Sequence, residues 1–438
     1  MAMNTAMITV GRKRSDRETE QIMRQPDKSR RPIRQWTSRL ALAAVVAALG
    51  VWVVSWTLAQ SVALRDPTRA HRLAPTDGRI MGQLAASLIE ADPNHVDRRA
   101  VSQLAKRALR QDATTVTAAV TLGILAQLDN APALSREWFS YSQTLSRRNL
   151  GTQLWAIEDN VSRGNIRTAL IHYDIALRTE PATADFLFPI LTNAAADLAV
   201  RTPLVRMLAT RPTWGENFLN HMSASGPNPS VTVQVFEALK RAGGTVPAAA
   251  SSHVIDVLLN RGLLDSAWSY YALIRPGSVR SASRDTQFGA NLVAPSRLDW
   301  NPIDADGITA SMQRTAEGGI FDFAAAPSVG GPLLFQDQLL PPGRYRLEGR
   351  VSDLDRATGT RPYWTLTCKL GVANGQELGR VLLPDTASRI DSFAGRLVVP
   401  EGCPVQTLTL VAPPAVGVTG LVGRLHTVAL VAESASVR

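Results

Sequence analysis

The spacing of apolar side chains changes character three times along the 438 residues. The first regime is "LALAAVVAALGVWVVSWTLAQSVAL", Leu40 to Leu64, which carries no charged residue. A helix needs about 20 such residues to cross the hydrocarbon core, and a buried helix of this length in a soluble core would show a polar face. Leu40 to Val54 show none, so the run predicts a transmembrane helix over 40–64. The second regime, about 78 to 282, is rich in Ala, Leu and Arg at helical spacing with short polar breaks. The third begins near 286, where Gly, Pro, Thr and Val rise and the period becomes two. "RYRLEGRV" puts Tyr345, Leu347, Gly349 and Val351 on one face and Arg344, Arg346, Glu348 and Arg350 on the other. "YWTLTCKL" groups Trp364, Leu366, Cys368 and Leu370 in the same way. About eight such segments separated by turns predict an antiparallel β-sandwich. The expected fold class is therefore α plus β, with a basic tail over 1–39, the span over 40–64, an α-helical domain over 65–285 and a sandwich over 286–438.

Charge and composition then assign sides to the span. Hydrophobic residues make up 45% and charged residues 19%, the balance of a folded chain. The net charge is +10, but residues 1–39 hold ten Lys/Arg against four acids, so +6 lies in the tail and +4 in all the rest. The body gives no reason to expect a nucleic-acid surface. Counted over the tail, the basic bias favours a cytoplasmic N-terminus and an exported body. Four arginines after the span (Arg65, Arg69, Arg72, Arg79) run against that bias. "TLA" before Gln60 offers a signal-peptidase alternative, although the long leader fits an uncleaved anchor better. Only Lys13, Lys28, Lys106, Lys240 and Lys369 are lysines among the 47 basic residues, an arginine bias typical of a high-GC bacterium. The expected location is the bacterial inner membrane, single-pass, with a periplasmic body.

Within the helical regime a period of 34 emerges. In "NLGTQLWAIEDNVSRGNIRTALIHYDIALRTEP", Ala169, Tyr173, Ala176 and Pro181 stand at the spacing A-x3-Y-x2-A-x4-P. Thirty-four places earlier lie Ser135, Phe139 and Ser142, preceded by Leu122-Gly123; a further step back reaches Ala108. Over about 100 residues this resembles the tetratricopeptide repeat family, in which small residues let paired helices approach and an aromatic fills the gap between hairpins. The resemblance implies an α-helical solenoid that packs through Gly123, Phe139, Ala169, Tyr173, Ala176 and Pro181 and presents a surface to a protein partner. Gln153, Asn160, Arg147 and Ala113 depart from the family pattern of Trp, Tyr and terminal Pro. From 182 to 282 the register is lost, although "LLDSAWSYY" again places Ala267 and Tyr271 four apart, as in a second repeat helix.

In the third regime "LDW", "FQDQLLPPGRYRLEGRV", "YWTLTC" and "VVPEGCPVQTLTLV" resemble the carbohydrate-binding-module-like jelly rolls of bacterial surface polysaccharide systems. About 150 residues are covered, in strand and turn phrases rather than a ligand signature. The resemblance implies a role in export or assembly of a cell-surface polysaccharide. Exposed rings are what sugar stacking needs, and Trp300 and Tyr363 are the candidates. Cys368 and Cys403, the two cysteines of the chain, are too far apart for a Cys-x-x-Cys redox pair. In an exported domain they are expected to form a structural disulfide, with two buried free thiols as the alternative.

No His-Glu-x-x-His, Gly-x-Ser-x-Gly, Gly-x4-Gly-Lys or Gly-x-Gly-x-x-Gly pattern occurs, and the six histidines are scattered. The expectation is a scaffold without catalytic residues, metal or cofactor, binding envelope proteins and glycan; the alternative is a glycan-active enzyme with an accessory sandwich. The topology is directly testable. Protease added to spheroplasts should digest the body and leave a short basic N-terminal fragment protected, whereas protection of residues 286–438 would reverse the orientation.

Overall fold

The computed structural model describes residues 33–93, 95–315, 318–354, 361–386, 389–414 and 420–433. The basic tail as far as residue 32 lies outside them. Fourteen α-helices precede ten strands among the described residues. The helices are α1 Ile33–Val62, α2 Pro67–Leu73, α3 Gly78–Ala91, α4 Arg98–Gln111, α5 Val116–Leu128, α6 Pro132–Leu145 and α7 Leu150–Ser162. They continue as α8 Ile166–Thr179, α9 Ala184–Ala194, α10 Leu198–Ala209, α11 Gly215–Ser225, α12 Pro229–Arg241, α13 Ala248–Asn260 and α14 Leu264–Ile274. The chain divides into two compact units, Met1–Leu125 and Ala126–Arg438.

α1 starts ahead of the uncharged run and ends two residues short of Leu64. It is long and apolar enough to cross a membrane, and its apolar 18-residue window is not buried by the rest of the chain; Ala59, near its end, is buried. That exposure distinguishes it from the core helix of a soluble protein. The helices that follow start on their caps: Asp77, Asp97 and Asn149 accept from backbone N–H groups at the starts of α3, α4 and α7.

The 34-residue period is visible in the helices themselves. α4, α6 and α8 start at 98, 132 and 166, and α5 and α7 at 116 and 150. Equivalent positions share one environment: Ala108, Ser142 and Ala176 are each 0% exposed. Ala105, Phe139 and Tyr173 are buried. Gly123 and Ala169 are buried, and Pro181 is exposed, opening a short 3-10 turn that ends α8. Gln153 and Asn160, where the repeat pattern has aromatics, are buried by hydrogen bonding instead. The Gln153 amide donates to Arg147 O at 2.8 Å and faces His172 Nδ1 at 2.7 Å, and Asn160 Nδ2 donates to Ala156 O at 2.7 Å. After Pro181 the helices still come in pairs, but α9, α11 and α13 start at 184, 215 and 248, so the spacing drifts. Pro189 inside α9 and Pro203 inside α10 remove interior hydrogen bonds just where the sequence register is lost. Gly164 and Gly262 turn α7 into α8 and α13 into α14 at φ of 72° and 71°, a conformation that favours glycine.

The strands are β1 Asn301–Pro302, β2 Ile308–Thr315, β3 Gly318–Ala325, β4 Gly331–Gln338, β5 Gly343–Ser352, β6 Tyr363–Leu370, β7 Glu377–Leu382, β8 Asp391–Val399, β9 Val405–Ala412 and β10 Leu421–Ala432. They form two five-stranded sheets, β1-β4-β9-β6-β7 and β2-β3-β10-β5-β8, with antiparallel pairing throughout. The alternation in β3, β5 and β6 sends Phe321, Phe323, Tyr345, Leu347, Trp364 and Leu366 into one core shared by both sheets. Cys368 and Cys403 are bonded, with Cα atoms 5.8 Å apart, and both are buried. The bridge ties the end of β6 to the turn before β9 across a separation of 35, a closure worth about 4 kcal/mol in the chain-entropy model.

Helices and sheets in the second unit are packed continuously through the 285/286 change of texture. Leu298, Leu339 and Val405 belong to the same buried cluster as Leu258, Tyr270 and Tyr271 of α13 and α14. Around them lies a set of buried charged groups, Asp299, Arg284 and Asp337. Asp299, 5% exposed, accepts from Tyr271 Oη at 2.9 Å and from Ser296 N and Oγ at 2.9 and 2.8 Å, and meets Arg275 Nε at 3.5 Å. The Arg284 guanidinium donates to Leu298 O, to Gln338 Oε1 and to Asp337 O. Asp337, 1% exposed, pairs with Arg297 at 2.8 Å and Lys369 at 3.3 Å and accepts from Thr407 Oγ1 at 2.7 Å. Burial pushes the Asp337 and Asp256 carboxyls and the Tyr271 hydroxyl up and holds the Arg284 guanidinium down.

Tyr173 tests the repeat packing. Truncating this buried aromatic, Tyr173→Ala, should cost about 3–5 kcal/mol in urea unfolding; a loss under about 1 kcal/mol would show that the 34-residue register does not order the packing.

Candidate functional site

The sheet β1-β4-β9-β6-β7 turns one face to the shared core and the other away from it. In β6 the alternation leaves Tyr363, Thr365 and Thr367 half-buried on the far face, and β9 does the same with Thr407, Thr409 and Val411. Register sets these residues side by side. Thr365 pairs with Thr409 and Thr367 with Thr407, while Tyr363 stands opposite Val411. On the flanks, Phe335 of β4 stands beside Thr409, and Arg380 of β7 stands beside Thr365. Cross-strand partners share a face and lie about 5 Å apart, with successive outward residues roughly 7 Å apart along a strand. Four hydroxyls thus form a two-by-two grid, bordered by the rings of Tyr363 and Phe335.

Tyr363 does not stand alone. The Arg380 guanidinium lies 3.9 Å from its ring centroid and is held there by two hydrogen bonds to the Glu377 carboxylate, at 3.0 and 2.9 Å. That ion pair is exposed and raises the affinity of Arg380 for its proton. Thr407 is committed to Asp337, and Thr365 Oγ1 lies 3.5 Å from Gly379 O. A surface of this kind can accept and donate hydrogen bonds through hydroxyls and offer a flat ring edge to an apolar patch of a ligand.

Trp300, the other expected stacking ring, is not exposed but buried in the sandwich core. It is 3% exposed, its ring centroid sits 5.7 Å from both Phe288 and Trp364, and its Nε1 donates to Asp285 O at 3.0 Å. The "LDW" turn folds inward because Asp299 caps Ser296 and anchors Tyr271, which draws the indole into the core. A cavity of about 240 Å³ opens beside it, lined in part by Arg284, Asp299, Met312 and Arg314. The buried carboxylate and guanidinium at its base already have their hydrogen bonds within the protein. Among the described residues no group of three or more His, Cys, Asp or Glu side chains is placed to hold a metal ion.

The grid was partly legible: "TLT" occurs in both "YWTLTC" and "VQTLTL". Their adjacency was not, because β6 and β9 pair across 35 or more residues with two strands between them. Arg380 carried no sequence signal.

No family model matches the chain, and no curated protein matches it. Among solved structures, the enzymatically active domain of tailspike protein 4 of bacteriophage CBA120 aligns at 12% identity and TM-score 0.23, covering 31% of this chain and 19% of that one. The CBM22-1 xylan-binding domain of Paenibacillus barcinonensis Xyn10C aligns at 12% identity and TM-score 0.27, covering 36% of this chain and all of that one. PilW, a type IV pilus biogenesis factor, aligns at 15% identity and TM-score 0.25, covering 46% of this chain and 93% of that one. Likenesses of this size carry no argument about function.

Proposed function

We propose that the protein is a membrane-anchored scaffold of the bacterial cell envelope whose sandwich binds polysaccharide across the β6/β9 face. In this reading residues 1–39 are cytoplasmic, 40–64 span the inner membrane, and the body is periplasmic. Residues 65–285 act as a tetratricopeptide-like solenoid for a protein partner, and 286–438 as a jelly-roll-like module, in export or assembly of a surface polysaccharide. The chain acts without catalysis.

The observation that carries the glycan reading is the hydroxyl grid beside Tyr363, with Arg380 fixed over the ring. Sugars present alternating apolar C–H patches and hydroxyl edges, which is the complement of a ring next to ordered Thr hydroxyls. The buried disulfide supports an oxidising compartment, and the unburied apolar α1 supports an anchor. The 34-residue recurrence of buried small and aromatic positions supports the solenoid.

Affinity electrophoresis of the full chain in detergent, through gels containing envelope polysaccharide, tests the site. Tyr363→Ala should weaken retardation about tenfold, the equivalent of 1.4 kcal/mol of ring contact. Arg346→Ala, on the other sheet, should leave it unchanged. Equal mobility of wild type and Tyr363→Ala in every polysaccharide tried would contradict the reading.

A further inference from the structure

We propose that Leu64–Arg79 form a collar in the lipid headgroup layer where the chain leaves the membrane, with its arginines paired to the phosphates of anionic phospholipids. The proposal rests on the reading of α1 as a membrane helix.

The depth of the collar follows from counting. Twenty residues at 1.5 Å each span about 30 Å of hydrocarbon, so a span that begins at Leu40, after Arg39, reaches its far boundary near Ala59. The structure is no longer a bare helix at that level. Ala59 is 0% exposed and lies in one buried cluster with Ala70, Ala74 and Ile80. Trp56 Nε1 and Gln60 Nε2 both donate to Asp77 Oδ2, at 3.2 and 2.8 Å. The other oxygen of Asp77 caps the start of α3 through Arg79 N and Ile80 N. The chain therefore turns back after Val62 and lays residues 67–77 alongside the last turns of α1. α2 is held at the boundary by packing, and the start of α3 by the Asp77 carboxylate shared with α1.

The face that α2 does not bury has the composition of an interface. Ala70 and Ala74 pack inward, while Arg65, Arg69, Arg72, Leu73 and Arg79 are exposed. Leu64 is 83% and Leu73 41% exposed, apolar side chains placed where acyl chains begin. Arg69 and Arg79 pair with Asp66 and Asp112 at 3.1 Å, yet their side chains remain 77% and 75% exposed. Arg65 and Arg72 have no ion-pair partner among the described residues. Basic residues just beyond a span on the exported side oppose the usual charge bias. Arginines fixed at headgroup level gain phosphate partners, which suit the guanidinium fork.

The two native cysteines are bonded to each other, so a single introduced thiol can carry a spin label in the full chain. Val46→Cys, Leu73→Cys and Val293→Cys, the last at a position 91% exposed, would be reconstituted in phosphatidylcholine vesicles with and without phosphatidylglycerol. Collision with oxygen reports lipid, and collision with a water-soluble nickel chelate reports water. The expected result is an oxygen-dominated label at 46 and a label at 73 several-fold less accessible to nickel than the one at 293. Phosphatidylglycerol should shield position 73 further, and Arg65→Gln with Arg72→Gln should abolish that response. If 46 is in lipid but 73 is as wet as 293, the collar is wrong and the anchor stands. Shielding of 73 that ignores phosphatidylglycerol overturns the phosphate pairing. A nickel-accessible label at 46 overturns the anchor itself.

Discussion

Asp337 is the group on which the second unit depends. Its carboxylate is buried on β4 and receives Arg297 from the loop before β1, Lys369 from β6 and Thr407 from β9. Arg297 is fixed in turn by the helices: its backbone N–H donates to Asp256 at 3.0 Å and its guanidinium to Asn260 at 3.0 Å, both on α13. One charge thus joins a helix, a loop and three strands. Taking such ions out of water costs several kcal/mol each, and their attraction offsets this only when the geometry is complete. The arrangement adds little net stability over an apolar contact; what it joins is α13 to β4, β6 and β9 through Arg297. Arg284 and Asp299 repeat the arrangement a short distance away, satisfied by Tyr271, Ser296 and backbone carbonyls.

The junction also positions the candidate site. Thr407 is at once a partner of Asp337 and one corner of the hydroxyl grid. The grid therefore starts where the helices end and runs out along β6 and β9 toward Tyr363 and Arg380. The disulfide holds the junction ends of these two strands together, so the face is rigid where it leaves the junction.

Where side-chain chemistry repeats locally, the sequence was enough. Alternation in "RYRLEGRV" and "YWTLTC" marks β5 and β6, and the spacing of Ala169, Tyr173 and Ala176 marks a buried helix face. Long-range pairing was not legible. Trp300 read as a loop aromatic because the partners that draw it inward, Phe288 and Trp364, are distant in sequence or carry no pattern. Nothing local in the sequence marks Asp299, Arg284 or Asp337 as buried, since burial of a charge depends on which partners arrive. The change of texture near 286 marks a change of secondary structure, while packing runs through it.

Native-state hydrogen exchange on the full chain in detergent tests the junction most directly. If the paired charges join helices and sheets into one cooperative body, the slowest amides of α13 and α14 and those of β4 and β9 should open with the same free energy. They should also fall together in Arg297→Ala, by about 3 kcal/mol or more, the usual cost of removing one partner of a buried ion pair. Helices that open several kcal/mol below the sheets, and that do not respond to Arg297→Ala, would contradict the account.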